Sequence, residues 1–203
     1  MRNKLGYIFM ICGAAMVLAA FTLFLYNREE SRRAEKSVNK VLPELAEYLR
    51  ERQNADPGTD RYLDIDYPDP YDPAMTEVEI DGYAYVGYLS LPSLGLELPV
   101  LSAWDDTRLK LAPCRYTGST KTGNLVIAAH NYKRYFGKIS HLSERDEVLF
   151  TDMDGVTTRY EVAEVEILQP FAVEEMTSGE YELTLFTCTY GGRSRVTVRC
   201  RRQ

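Results

Sequence analysis

Cys188 is the residue in this sequence with the strongest claim to chemistry. It closes the segment Glu182-Leu-Thr-Leu-Phe-Thr-Cys188. Read as a strand, the alternation puts Leu183 and Leu185 on one face and Thr184, Phe186 and Cys188 on the other. The leucines suit a core, so the thiol stands at a strand end and faces away from it. Its thiolate is a nucleophile suited to covalent acyl transfer. On residue type alone the plainer reading, a buried cysteine that fills space, is the more common one.

Two further residue types shift that balance. In Ser194-Arg-Val-Thr-Val-Arg-Cys-Arg201, alternation sends Val196, Val198 and Cys200 one way and Arg195, Thr197 and Arg199 the other. A hairpin across Thr189 to Arg193 would bring Arg195 beside Cys188. A guanidinium there favours the thiolate or donates to an oxyanion; an arginine on a solvated strand face is the ordinary alternative. Arg193 shares the face but follows Gly191-Gly192 and belongs to the turn. His130 ends the apolar run Leu125-Val-Ile-Ala-Ala129, where two alanines leave room for a ring. With a reference pKa of about 6.5, it exchanges protons near neutral pH, as the leaving and entering amines of acyl transfer require. The other histidine, His141, lies between Ile139 and Leu142, which look like packing residues, so His130 is the preferred partner.

Other chemistries find less support. The four cysteines, at 12, 114, 188 and 200, form no C-x-x-C pair, which removes the zinc-ribbon and dithiol redox signals. Two histidines do not make a metal site, and no cofactor is expected. The adjacent acids Asp105 and Asp106 are a very weak calcium signal. Outside the apolar run at most one disulfide is available, and whether Cys114 and Cys200 form it stays open. The net charge of -6 argues against a nucleic-acid partner.

The elements that must position these residues follow from the pattern. Leu5 to Tyr26 carries no charge and no polar face. A bilayer core takes about 20 apolar residues as helix, so residues 1–27 read as an uncleaved anchor rather than a signal peptide. Counting cations, Arg2 and Lys4 before the run against Arg28, Arg32, Arg33 and Lys36 after it, would put the following domain in the cytoplasm. In residues 28–53, Val38, Leu42, Leu45 and Leu49 make a helical stripe, with Pro43 predicting a kink or break. Residues 54–82, rich in proline and aspartate, read as a linker or a loop lying over the surface. From Tyr83 to Gln203 short strands alternate with turns. They include Tyr83 to Leu91, Glu97 to Leu101, Leu125 to His130, and a hairpin at Asp154-Gly155. The apolar phase of Thr157 to Leu168 shifts near Val165, predicting a bulge or bend, and Lys138 to Glu144 reads as one short helix. The class is all-β, a barrel or a sandwich.

Taken together these segments resemble the sortase family. Thr184-Leu-Phe-Thr-Cys188 resembles its TLxTC motif, and Arg195-Val-Thr-Val resembles the arginine that opens its final strand. Leu125 to His130 resembles its apolar strand ending in histidine, with Ala129 where a glycine often stands. Tyr85-Val-Gly-Tyr-Leu-Ser-Leu-Pro resembles its first barrel strand, and Phe136 to Asp146 its leucine-spaced stretch before an acidic turn. The match runs in order over residues 83–203.

The resemblance implies a closed eight-stranded β-barrel with short helices behind an N-terminal transmembrane helix. It implies a groove holding Cys188, His130 and Arg195, and a transpeptidase that cleaves a sorting motif of surface proteins, commonly LPxTG-like. The acyl fragment would pass through a Cys188 thioester to an amine of a cell-wall precursor or a pilin lysine. It also implies a single-pass protein of the cell membrane with its catalytic domain outside, against the cation count. Subclass stays open. The helix at 28–53 is compatible with class B, while Asp69-Pro70-Tyr71 resembles the lid of class C or is plain turn chemistry. The alternative from another class is a membrane-tethered β-domain that binds an envelope ligand without catalysis.

Overall fold

The computed structural model describes residues 2–55, 74–178 and 180–203. The segment Asp69-Pro70-Tyr71 and most of the predicted linker lie outside them.

Helix α1 (Arg2–Ala55) runs unbroken from the apolar stretch through the charged stripe. Of the kink or break expected at Pro43, the break does not occur. Proline leaves the Asn39 carbonyl without its helical donor, but Pro43 is exposed and water can take that role. The apolar first half of α1 is long enough to cross a membrane, and none of its apolar window is buried. The second half is docked. Ala34 and Val38 join the main core, and Val41, Leu45 and Leu49 pack against Ile80, Tyr85, Leu101 and Met153. Burying a valine or leucine is worth about 1.5–3 kcal/mol each, so this stripe holds the helix to the domain rather than leaving it a free stalk. Ion pairs Lys40–Asp81 and Arg52–Asp154 secure its flank and end.

The strands are β1 (Val78–Ile80), β2 (Tyr83–Leu91), β3 (Leu96–Leu101), β4 (Cys114–Thr117) and β5 (Leu125–Ala128), then β6 (Glu147–Asp152), β7 (Thr157–Leu168), β8 (Leu183–Cys188) and β9 (Arg195–Arg202). Their order is β1-β2-β3-β4-β5-β8-β9-β7-β6, and β2 also pairs with β6. That last pairing closes β2–β9 into the eight-stranded barrel the family resemblance implied, with β1 an extra strand on β2. β2 lies between β3 and β6, and its register with β3 shifts between Tyr85 and Gly87, where a Cβ on the glycine would lie 2.2 Å from the Thr151 carbonyl oxygen. The phase shift predicted in β7 is a register shift between Val162 and Glu164. The Asp154-Gly155 hairpin joins β6 to β7. The predicted helix after Lys138 is a single 3-10 turn, Ile139–His141. β1 and β4 were not legible: each is three or four residues with little apolar alternation.

Inside the barrel, Leu125, Ile127, Leu183, Leu185, Val198 and Cys200 form one core. The outer face of β5 and β8 is apolar too. There Val126, Ala128 and Phe186 pack with Leu168 and Met176 of helix α3 (Val173–Thr177). A strand pair buried on both faces is rigid, and this pair carries the candidate nucleophile.

Candidate active site

β5 and β8 are parallel, with Val126 opposite Thr184 and Ala128 opposite Phe186. Two residues further along each chain lie His130 and Cys188. The pairing continues past the end of β5: the Ala129 N–H donates to the Phe186 carbonyl at 3.2 Å, and the Thr187 hydroxyl donates to the Ala129 carbonyl at 2.7 Å. Neighbouring strands lie about 4.7–4.9 Å apart, so this ladder fixes the His130 and Cys188 backbones as neighbours. On the other side, β8 and β9 are antiparallel and Cys188 pairs directly with Arg195. Directly opposed residues project to the same face of a sheet. The thiol therefore sits between the imidazole and the guanidinium, in the middle of three adjacent strands.

All three side chains line one cleft of about 260 Å³. Its floor includes Ala128, Ala129, Phe186 and Thr187, and its walls include Trp104, Tyr116, Val173 and Met176. Trp104 stacks on Tyr116 with ring centroids 5.1 Å apart, and Tyr116 meets Phe186 edge-on at 5.3 Å. Larger clefts of about 530 and 450 Å³ lie along α1, away from these residues. Size does not locate the chemistry here; the convergence of thiol, imidazole and guanidinium does.

The His130 ring is half-buried and stands 5.0 Å from Tyr132. Its Nε2 is buried and makes no hydrogen bond among the described residues. Burial pushes its pKa below the ordinary value, Lys110 pushes the same way, and Asp106 and Glu30 oppose. Lys110 is placed by helix α2 (Arg108–Leu111). The Tyr135 hydroxyl donates to the Leu111 carbonyl and contacts the Lys110 and Ala34 carbonyls, tying α2, α1 and the segment after His130 together.

Arg195 Nη1 lies 3.3 Å from the Gly192 and Ser194 carbonyls, acceptors on its own turn. The Thr189 hydroxyl and Ser194 cross-brace the same turn. Arg193 is exposed and does not line the cleft, and His141 is exposed on its 3-10 turn. The predicted trio is thus brought together and the two rival side chains are not.

Several cleft residues escaped sequence reading. Trp104 comes from an irregular segment, Tyr116 from the four-residue strand β4, and Val173 and Met176 from a five-residue helix with no periodic signal. Arg199 was legible only as an outward arginine. It is 4% exposed, pairs with Glu166 at 2.7 Å and donates to the Thr184 hydroxyl and the Glu175 and Met176 carbonyls. It thereby fastens α3 to the barrel. Asp105 is engaged locally: its carboxylate accepts from the Thr107 and Arg108 backbone N–H groups and pairs with the Arg108 side chain, which holds its pKa low. No group of three or more acids, histidines or cysteines suited to a metal occurs among the described residues. Cys114, Cys188 and Cys200 are free thiols.

Comparison with known proteins gives one consistent result. A family model described as the sortase domain matches residues 89–203. Sortase A of Bacillus anthracis is 30% identical over 130 residues, which is 61% of this chain and 60% of that protein. The match thus spans about three fifths of the relative's length. Among solved structures, sortase A from Corynebacterium diphtheriae covers 91% of this chain and 95% of its own at 17% identity, with a TM-score of 0.55. A sortase C from Streptococcus pneumoniae covers 86% and 90% at 22% identity, with a TM-score of 0.53. At those identities the likeness is one of fold.

Proposed function

This chain belongs to the sortase family, and from that premise we propose that it is a membrane-anchored cysteine transpeptidase acting on a sorting-signal peptide of exported proteins. The observation that carries this reading is the register of three strands, which sets Cys188 between His130 and Arg195 in one cleft.

In the reaction, a proton passes from the Cys188 thiol to His130. The thiolate attacks the carbonyl carbon of the scissile peptide, and the Arg195 guanidinium donates to the oxyanion. As the carbon–nitrogen bond breaks, His130 returns its proton to the departing amine, leaving a Cys188 thioester. An acceptor amine then attacks the thioester. Its nitrogen bonds to the acyl carbon, the carbon–sulfur bond breaks, and the amine's proton goes to His130. Burial favours neutral imidazole, so the imidazolium formed in the first step is a stronger acid than a free one and a better donor to the leaving group.

No step calls for a metal or cofactor. The acceptor is an amine of a cell-wall precursor or a pilin lysine. The apolar half of α1, long enough to cross a membrane, is the anchor, and the family resemblance is what supports a catalytic barrel facing outward.

The test uses the full chain in detergent or vesicles with a library of fluorescent sorting-type peptides and a small amine. Transfer product and a hydroxylamine-sensitive adduct on Cys188 are expected. A wild-type chain that binds peptides but forms neither product nor adduct would establish the non-catalytic binding alternative instead.

A further inference from the structure

A cleft of about 450 Å³ opens between α1 and the segments around residues 94–96 and 133–138, away from the catalytic residues. Five cations line it: Arg28 and Arg32 from α1, and Lys133, Arg134 and Lys138 from the segment after His130. The one carboxylate in the lining, Glu35, is paired with Arg134. Among the described residues, Arg28, Arg32, Lys133 and Lys138 have no ion-pair partner. The chain as a whole carries a net charge of -6, so this positive grouping is local and runs against the global balance.

The position of the cleft says what it meets. α1 passes from the apolar stretch into the cleft without a break. At a rise of about 1.5 Å per residue, Arg28 and Arg32 stand roughly 3 and 9 Å beyond Tyr26 along the helix. The headgroup layer on each side of a bilayer core is about 5–8 Å deep. The cations on the loop lie beside the next turns of the helix, roughly 6 to 14 Å beyond Tyr26, from where their long side chains reach back toward the headgroups. The Tyr132 hydroxyl donates to Glu30, Arg134 pairs with Glu35, and the Tyr135 hydroxyl reaches the Ala34 carbonyl. Leu94 and Leu96 add apolar surface to the lining. Charge-assisted bonds from arginine and lysine suit a phosphodiester, and the leucines suit the glycerol and upper acyl carbons.

We infer that this cleft is a headgroup site for an anionic phospholipid of the membrane that α1 enters, with Arg28, Arg32, Lys133 and Lys138 around the phosphate. The inference rests on the reading of α1 as a membrane span. It does not depend on which leaflet the barrel faces, since cleft and span share one helix. A bound lipid would set the tilt of the barrel, and so the height of the Cys188 cleft, relative to the bilayer.

The test uses the full chain in non-ionic detergent, mixed with equal amounts of phosphatidylglycerol and phosphatidylcholine, with bound lipid counted by native mass spectrometry. The wild-type chain should retain phosphatidylglycerol over phosphatidylcholine by at least about tenfold, since a cation near an anionic headgroup contributes roughly a fivefold factor. Arg32→Gln/Lys133→Gln/Lys138→Gln should lose that preference. Arg50→Gln/Arg145→Gln/Arg202→Gln, which removes the same charge elsewhere, should keep it. Equal loss in both triple variants, or no preference in the wild type, would overturn the site. Full displacement by 10 mM inorganic phosphate would assign it to a free anion and overturn the lipid. Alkaline extraction of membranes separates the two readings. A chain released by carbonate removes the span, whereas a chain that stays but shows no headgroup preference removes only the site.

Discussion

The Thr187 hydroxyl donates to the Ala129 backbone carbonyl at 2.7 Å, in a position closed to water. The bond joins the residue before the candidate nucleophile to the residue before the candidate proton carrier. With the Ala129 N–H on the Phe186 carbonyl, it extends a parallel ladder beyond the end of β5. The relative placement of Cys188 and His130 is therefore a property of backbone pairing rather than of flexible side chains.

Thr187→Val keeps the side chain's shape and removes that donor. A buried carbonyl left without a partner costs about 1–3 kcal/mol, so the thermal midpoint should fall. Transpeptidation should fall further than stability alone accounts for, because His130 loses its fixed height above the thiol. Thr187→Ser should restore most of both. Thermal unfolding together with turnover on peptide substrate checks this, and unchanged turnover in the folded valine variant would confine Thr187 to a structural role.

Cys188→Ala should abolish transfer and thioester capture while the chain keeps its fold, since the thiol lies on the cleft surface and not in the core. Burial pushes the Cys114 and Cys200 thiols up to about 12, which makes both inert in the folded barrel. Iodoacetamide on the native chain, followed by peptide mapping, should modify Cys188 and spare those two until denaturant is added. Labelling of Cys114 or Cys200 at the same rate as Cys188 would contradict the burial argument.

These outcomes bear on how much the sequence itself disclosed. The strands around the site were legible because β5 is a continuous apolar run ending near a histidine and β8 and β9 alternate into a hairpin, while the parallel pairing of β5 with β8 was not read from the pattern. Leu183 and Leu185 do fill the core, and Phe186 and Cys188 do face outward. What alternation cannot reveal is which outward residues are covered. Arg199 has the same phase as Arg195, yet α3 closes over it, and the contacts that cover it come from residues some twenty positions away. Trp104 and Tyr116 were illegible for the same reason: their meeting depends on how the irregular segment that carries Trp104 folds back on the short strand β4. The docking of α1 was only half legible, since its stripe showed one apolar face but not what that face would meet.

Arg195→Ala should lower turnover on the order of 100–1,000-fold, the usual loss for one preorganised oxyanion donor. Arg195→Lys should recover little, because a point charge does not reproduce the guanidinium fork. Arg193→Ala should cost far less: Arg193 is exposed on the turn, while Arg195 is set opposite Cys188 by the ladder. Steady-state kinetics on the three variants decides, and the reverse ranking of the two alanine variants would move the role to Arg193.

His130 should titrate below its ordinary value of 6.5, chiefly because burial disfavours the charged ring. Lys110→Gln removes a repelling cation and should move the midpoint up. Asp106→Asn removes an attracting anion and should move it down. The sign for stability follows: the unfolded chain takes this proton first, so the site costs stability progressively as pH falls below 6.5 and levels off below the folded midpoint. In a His141→Asn background a single imidazole signal remains, and proton NMR of it across pH 4–8 reads all three midpoints. A midpoint that falls in Lys110→Gln and rises in Asp106→Asn would exclude direct electrostatic coupling to the ring.

Arg199 supplies the last prediction, because it holds a cleft wall without touching the cleft. Its guanidinium pairs with Glu166 on β7, meets the Thr184 hydroxyl on β8, and caps the Glu175 and Met176 carbonyls of α3. α3 in turn presents Val173 and Met176 to the cleft. Arg199→Met removes one partner of a largely buried ion pair, a change that typically costs about 3–5 kcal/mol, and it also frees α3. Adding Glu166→Gln should recover part of the lost stability, since the stranded carboxylate is then neutral. It should not recover the α3 caps, so the double variant separates two effects that the single one merges. In the double variant, amide exchange across 172–178 should stay fast and KM for peptide should stay raised, while kcat and the rate of Cys188 alkylation stay near wild type. A double variant in which exchange and KM both return to wild-type values would show that Arg199 stabilises the barrel alone and that α3 holds its place without it.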